Sequence, residues 1–202
     1  GDDPCALFMP KTKFADNAMD EKTTRLIAQM HKAITIIQFK LEGEIIRRRP
    51  EFEMDDRMLL HHIDLKRGVV HIDGKDYTLK DTNWPTLDPK DPYRLSIEEE
   101  DLIRKILHSF ESSEKMKKHM RCFFRHGGMY QVCNSNLLFH ASIPMNPDGT
   151  FKSVRILGQD YKGRALLDRV DQLIRTAYFK TGEQEEVEYA HDYIWYLWGG
   201  KD

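Results

Sequence analysis

The sequence lacks most of the features that assign a function quickly. No apolar run among its 202 residues approaches the roughly 18 residues that a membrane-spanning helix needs. The net charge is only −2, so there is none of the basic excess that is typical of proteins that bind nucleic acid. The catalytic motifs G-x-S-x-G, G-x-G-x-x-G and the Walker glycine loop are also absent. We therefore expect no membrane partner and no nucleic-acid partner.

Cysteine is scarce, and its spacing excludes two further classes of protein. The chain has three cysteines, Cys5, Cys122 and Cys133, and none lies in C-x-x-C spacing. This pattern favours neither a disulfide framework nor a zinc motif. The first residues also lack the basic start and apolar stretch of an export signal. We expect reduced thiols and a cytoplasmic protein.

The two ends of the sequence are unusual for a natural chain. It begins at Gly1 without an initiator Met, and an apolar aromatic run at 189–198 lies close to its end. Chain termini are more often polar and loosely held, and this run is too aromatic to be a free tail. We expect a piece of a longer protein.

Residues 20–48 predict a long helix, because apolar residues recur there at spacings of three and four, and Pro50 follows. Such a helix is about 44 Å long at 1.5 Å per residue, which is too long for a small domain to cover. We expect part of its apolar stripe to pack against missing chain or a partner subunit, and we predict a homo-oligomer. The stripe consists of Leu26, Met30, Ile34, Ile37, Leu41 and Ile45.

Three more helices are predicted from capping signals. Ser96 and Glu99 form a capping box, and the helix that follows is expected to bury Leu102, Ile103, Ile106, Leu107 and Phe110. A helix over 113–126 ends at Gly127-Gly128 and is expected to bury Met116, Met120, Phe123 and Phe124. Asp160 is the predicted N-cap of a helix that runs to about residue 178. The acidic stretch 182–188 is expected to be solvated.

Strands are predicted mainly in the second half. Asp73-Gly74 suits a tight turn and predicts a β-hairpin over 69–79, after a short helical patch at 55–62. Residues 129–133, 136–140 and 153–157 are short strand candidates. Helices dominate the first half and strands appear in the second, so the predicted fold class is α+β.

Nine histidines raise the question of a metal site. His61 and His62 point about 100° apart on a helix, so they cannot easily face one ion. His126 has an ordinary role in the last turn of a helix, where positive charge is favoured. His140 differs, because it follows the apolar run 136–139, which suits a buried strand, and precedes small residues. Its position fits either a metal ligand or a buried core histidine, and spacing leaves both open.

The sequence CFFRHGGMYQVCNSNLLFHASIP at 122–144 resembles class III (Firmicutes/Bacteroidetes-type) fructose-1,6-bisphosphatases. The resemblance extends over residues 54–87, 93–107, 156–179 and 192–202, and so covers essentially the whole chain. It implies a metallo-dependent (calcineurin-like) phosphatase, with a four-layer α/β/β/α sandwich, a large helical insertion and two divalent metals, usually manganese. It also implies hydrolysis of the 1-phosphate of fructose 1,6-bisphosphate in gluconeogenesis.

The same resemblance implies a domain layout and one site residue. Residues 2–126 would form mainly the helical insertion, and residues 127–202 the strand-bearing part of the phosphatase core. Among the metal ligands of that superfamily, only the strand-end histidine has a counterpart, His140, because G-D-x-x-D-R-G and G-N-H-[D/E] are absent. One imidazole cannot hold two ions about 3.5–4 Å apart. We therefore expect this piece to bind no metal and to be inactive. The alternative is a non-catalytic helical module for oligomerisation or interaction.

Overall fold

The computed structural model describes residues 3–10, 20–140 and 142–200. Gly1 and Ala141 lie outside these ranges. Helices alternate with small antiparallel sheets, which confirms the α+β class. The chain divides into two compact units, Gly1–Ile106 and Leu107–Asp202. The predicted boundary at 126/127 concerns the domains of a longer protein and stays a prediction.

The long helix is present as α1, Glu21–Arg48. It begins where the Asp20 carboxylate accepts a hydrogen bond from the backbone N–H of Thr23 at 3.0 Å, the usual way in which an N-cap satisfies a free helical donor. At its other end, the backbone N–H of Arg49 donates to the carbonyl of Ile45 at 3.0 Å. The prediction of this helix is confirmed.

The predicted stripe of α1 is only partly covered: Ile37 is buried, and Leu41 and Ile45 are half-buried. Leu26, Met30 and Ile34 are exposed. Two lysines of the helix are buried instead, because acidic and carbonyl partners lie next to their ammonium groups. The buried residues are Ala28, Lys32, Ile36, Ile37, Lys40, Gly43 and Ile46.

The predicted hairpin forms two strands of a three-stranded antiparallel sheet. The strands are β1 (Ile63–Asp64), β2 (Val69–Ile72) and β3 (Lys75–Thr78), in the order β1-β2-β3. Asp73 and Gly74 both have positive φ, 50° and 76°, as a tight two-residue turn requires. The predicted helical patch at 55–62 consists of two 3₁₀ turns, Asp55–Arg57 and Leu60–His62.

The capping box at the start of α2 (Ile97–Ser112) is confirmed. The Ser96 backbone N–H donates to Glu99 Oε2 at 2.8 Å, and the Glu99 N–H donates to Ser96 Oγ at 3.2 Å. The next helix, α3, spans Glu114–His126, and Ser113 is its N-cap. Both helices therefore begin where local side-chain signals predict.

The predicted buried faces of α2 and α3 are only partly buried, with Ile103, Ile106 and Met120 half-buried. Leu102, Leu107 and Phe110 of α2 are exposed. In α3, Phe124 is buried, whereas Met116 and Phe123 are exposed. Apolar spacing identifies the side of a helix that suits burial, but burial also requires an element that covers it.

Two hairpins follow α3. The first joins β4 (Tyr130–Cys133) to β5 (Asn136–Phe139), and the second joins β6 (Val154–Ile156) to β7 (Gln159–Tyr161). All the predicted strands are present, but the expectation that 136–139 is buried is wrong. All four of its residues are exposed, because no other strand of the described ranges pairs with this hairpin.

The second unit ends in two packed helices, α4 (Gly163–Phe179) and α5 (Gln184–Gly199). The predicted N-cap of α4 is wrong, since Asp160 lies in β7 and Lys162 precedes the helix. The acidic stretch 182–188 is mostly exposed, as expected, and α5 begins within it. Across the described ranges, no helix is long and apolar enough to span a membrane.

Candidate functional site

His140 is the one residue that the sequence analysis singled out as a ligand. It comes directly after β5 and is exposed. Nowhere in residues 3–10, 20–140 and 142–200 do three or more His, Cys, Asp or Glu side chains cluster in a way that could hold a metal ion. The described part of the chain therefore brings His140 to the surface without a set of further ligands around it.

The strongest electrostatic feature of the first unit is the buried Lys40, which the sequence analysis did not identify. Its Nζ donates to Glu99 Oε2 at 2.7 Å and to the carbonyl of Thr86 at 2.7 Å. Glu99 also accepts a hydrogen bond from Thr86 Oγ1 at 2.6 Å. Burial alone raises the pKa of Glu99, but hydrogen bonds from Lys40, Thr86 and Ser96 outweigh burial and lower it below its ordinary value.

A second buried lysine on α1 is bound in a similar way. Lys32 Nζ lies 2.8 Å from Asp81 Oδ2 and donates to the carbonyl of Pro4 at 2.6 Å. Lys32 and the two partners of Lys40, Thr86 and Glu99, border an open cleft of about 480 Å³ with a mainly apolar lining. The ammonium groups are already bonded to protein oxygens, so this arrangement holds α1 against two other segments and offers no charge to a ligand. The spacing of Lys32 and Lys40, two turns apart on one helix face, was the only sequence signal.

His61 and His62 do not form a metal site in the structure. His61 Nδ1 lies 3.0 Å from the hydroxyl of Tyr93, which also accepts a hydrogen bond from the Leu60 N–H at 3.1 Å. Burial lowers the pKa of His61, and His62 lowers it further. A neutral His61 is consistent with this contact, because its Nδ1 can accept a hydrogen bond from the Tyr93 hydroxyl. His61 thus contacts Tyr93, and both histidines are exposed.

A polar pocket of about 420 Å³ lies in the second unit, between the end of α3 and one face of α4. Arg175 donates to Asp171 Oδ2 at 2.7 Å and to the carbonyls of Phe124 and Gly127 at 2.7 and 3.1 Å. It thus caps the C-terminus of α3. The Tyr130 hydroxyl donates to Asp168 Oδ1 at 3.0 Å. The i, i+4 spacing of Asp171 and Arg175 predicts their pairing, but nothing local predicts their contact with α3.

Comparison with known proteins assigns the family. Residues 1–202 match the family model described as Firmicute fructose-1,6-bisphosphatase. The chain belongs to this family. It is 65% identical over 201 residues to the fructose-1,6-bisphosphatase class 3 of Bacteroides fragilis, across 100% of this chain and 30% of the relative. No solved structure matches it.

Other relatives of this fructose-1,6-bisphosphatase family agree. The class 3 enzyme of Phocaeicola vulgatus is 60% identical over 202 residues, across 100% of this chain and 30% of the relative. That of Clostridioides difficile is 50% identical over 200 residues, across 99% of this chain and 30% of the relative. The chain therefore spans about 30% of the length of these relatives.

The two divalent metals that the family resemblance implies can be tested against the side chains present. A two-metal site needs several ligands for each ion, and the described ranges contain no cluster of three candidate ligands. In this family member, His140 comes directly after β5 and is exposed. The residues present do not fit a complete metal site.

Proposed function

We propose that the chain is part of a class 3 fructose-1,6-bisphosphatase that hydrolyses the 1-phosphate of fructose 1,6-bisphosphate with manganese. The observation that carries this proposal is the 65% identity to the protein of that name in Bacteroides fragilis, which extends over all of this chain. None of the comparisons supports the alternative of a non-catalytic helical module.

The proposed place of the chain in the whole enzyme is a helical insertion followed by part of a calcineurin-like α/β/β/α sandwich. Three observations support it. The first unit is built on the long helix α1, the second carries the β4–β5 and β6–β7 hairpins, and His140 comes directly after β5. A cytoplasmic location is part of the proposal. So is a homo-oligomer, which the exposed Leu26, Met30 and Ile34 of α1 support.

The proposal includes that the isolated chain is inactive. Two-metal hydrolysis clamps the attacking and leaving oxygens between two ions, and each ion needs several protein ligands. The described residues supply no cluster of three ligands, and about 30% of a relative's length is present. The missing ligands are proposed to lie in the rest of the enzyme.

A phosphate-release assay with fructose 1,6-bisphosphate tests both statements. The full-length parent and the isolated chain are each titrated with manganese under the same conditions. We expect turnover from the parent and only background from the isolated chain. A metal-loaded parent that releases no phosphate contradicts the proposed reaction. Turnover by the isolated chain at the rate of the parent contradicts its proposed inactivity.

The proposed ligand is tested by His140→Ala in the parent. We expect lower manganese content and a loss of activity by orders of magnitude with the fold retained, because a metal ligand is removed. His119→Ala, an exposed position in α3, is the matched control and should keep both. In the isolated chain, His140→Ala should change stability by less than about 1 kcal/mol. Full metal occupancy and activity in the mutated parent would rule out His140.

A further inference from the structure

The two hairpins of the second unit have the same design but different surroundings. In β6–β7, Val154 pairs with Tyr161, and Ile156 with Gln159. Opposite and alternate residues share a face of a hairpin, so Val154, Ile156 and Tyr161 lie on one side together with Gln159. Ile156 is only 1% exposed, and β7 packs on α4. The apolar side of this hairpin is covered by its own chain.

In β4–β5 the corresponding apolar side is open. Tyr130 pairs with Phe139, and Val132 with Leu137, so these four side chains share one side, which we call the hairpin face. Val132 is 63% exposed, Leu137 47% and Phe139 44%. Tyr130 is half-buried, with its hydroxyl on Asp168. The hairpin face carries no charged side chain.

A two-stranded hairpin in water is only marginally stable and needs a third strand or a packed layer. In the described structure, β4 and β5 pair only with each other. An uncharged apolar surface of this kind resembles the inner side of a sheet more than a free surface, since contiguous exposed apolar patches indicate contact sites. The β6–β7 hairpin shows what the same alternation looks like when a layer is present.

We propose that the hairpin face is covered by a segment of the parent protein that lies outside residues 1–202. The chain spans about 30% of its relatives, so most of the polypeptide that could cover the hairpin face lies outside it. A stable contact between two copies needs about 20 to 30 residues a side, and the hairpin face has four side chains. An intramolecular contact needs less area, because the connecting chain keeps the partner at high effective concentration.

This inference rests on the proposed function in one respect: it needs a longer parent protein. It does not depend on which reaction that protein catalyses. Hydrogen exchange of the full-length parent, followed by mass spectrometry, tests it directly. We expect amides within 130–139 to exchange at least about tenfold more slowly than unprotected amides, to the same extent at low and high protein concentration. Free exchange, or protection that appears only as oligomers form, overturns the proposal.

Two variants of the parent test the side of the hairpin that is used. Leu137→Asp places a charge on the hairpin face and should remove the protection of 130–139 and lower the thermal midpoint. Gln131→Asp, on the opposite side of β4, is the matched control and should leave both unchanged. Equal effects of the two variants overturn the proposal, and hydrogen exchange of the unmutated parent remains decisive if Leu137→Asp does not fold. Neither hydrogen exchange nor the thermal midpoint depends on enzyme activity. Failure of this inference can therefore be told apart from failure of the proposed reaction in the phosphate-release assay.

Discussion

Helix α1 and the β4–β5 hairpin show two opposite departures from a simple apolar pattern. In α1, Lys32 and Lys40 are buried while Leu26 and Met30 are exposed. In the hairpin, the uncharged apolar side chains of Val132, Leu137 and Phe139 are exposed. The comparison teaches that burial follows the available partner. Polar partners bring lysines inside, and the lack of a covering layer leaves valine and leucine outside.

The interior of the first unit tolerates lysine because each of the two buried ammonium groups has two acceptors. Lys40 is fully buried and bonds to Glu99 and the Thr86 carbonyl. A buried charge without such partners is strongly destabilising. These contacts therefore hold α1 in one orientation, although they contribute less to net stability than their short distances suggest.

The largest expected effect is that of Lys40→Ala. This change leaves Glu99 enclosed without its counter-charge, and we expect a loss of about 3–5 kcal/mol in the free energy of unfolding of the isolated chain. Urea denaturation measures it. Lys22→Ala, at an exposed position of the same helix, should stay within about 0.5 kcal/mol. A small effect of Lys40→Ala would remove the contrast between the two regions.

The two hairpins allow a direct test of the comparison within one unit. Ile156→Ala empties a buried site of β6 and should lower the free energy of unfolding of the isolated chain by about 2–5 kcal/mol. Leu137→Ala on the open β5 should change it by less than about 0.5 kcal/mol. Urea denaturation of both variants is the measurement. Similar losses would show that β4–β5 is covered in the isolated chain.

A smaller loss of stability is expected at Gly43 in α1, where tight packing opposes the helix propensity of alanine. Alanine is favoured over glycine inside a helix by roughly 0.5–1 kcal/mol. A Cβ at position 43, however, would overlap the ring of Tyr93. We expect Gly43→Ala to destabilise the chain by about 1–3 kcal/mol, measured as a shift in the urea midpoint. Gln29→Ala is the control on the exposed side of α1, and a stabilising Gly43→Ala would show that Tyr93 moves freely.

The smallest expected effect is the change with pH in the stability that Glu99 contributes. Its lowered pKa means that its contribution is fully present above the ordinary value of 4.5 and is lost as pH falls through the lower value of the folded state. The gap in denaturation midpoint between the wild-type chain and Glu99→Gln should therefore be wide at neutral pH and narrow in acid. Glu100→Gln, one residue further along, is the control. A gap that is constant with pH contradicts this role.

Local signals predicted the start of α1, the capping box at Ser96 and the turn at Asp73-Gly74, and the structure confirms all three. Each of these features depends on residues one to four positions apart, so the amino-acid types alone are sufficient to predict it. Asp160 failed as an N-cap because it pairs in a strand instead. His140 was selected as the residue at the end of a strand, and the structure agrees on that placement, but its role stays a prediction.

The sequence by itself determined the family, the α+β class and the ends of most helices and strands, because these depend on local chemistry and on similarity along the whole chain. Only the tertiary structure decided which faces are buried. The pairs Lys40–Glu99 and Lys32–Asp81 join residues far apart in the chain, and no periodicity encodes such a pairing. The exposed β4–β5 hairpin has the same cause, since an apolar side is buried only when another segment reaches it.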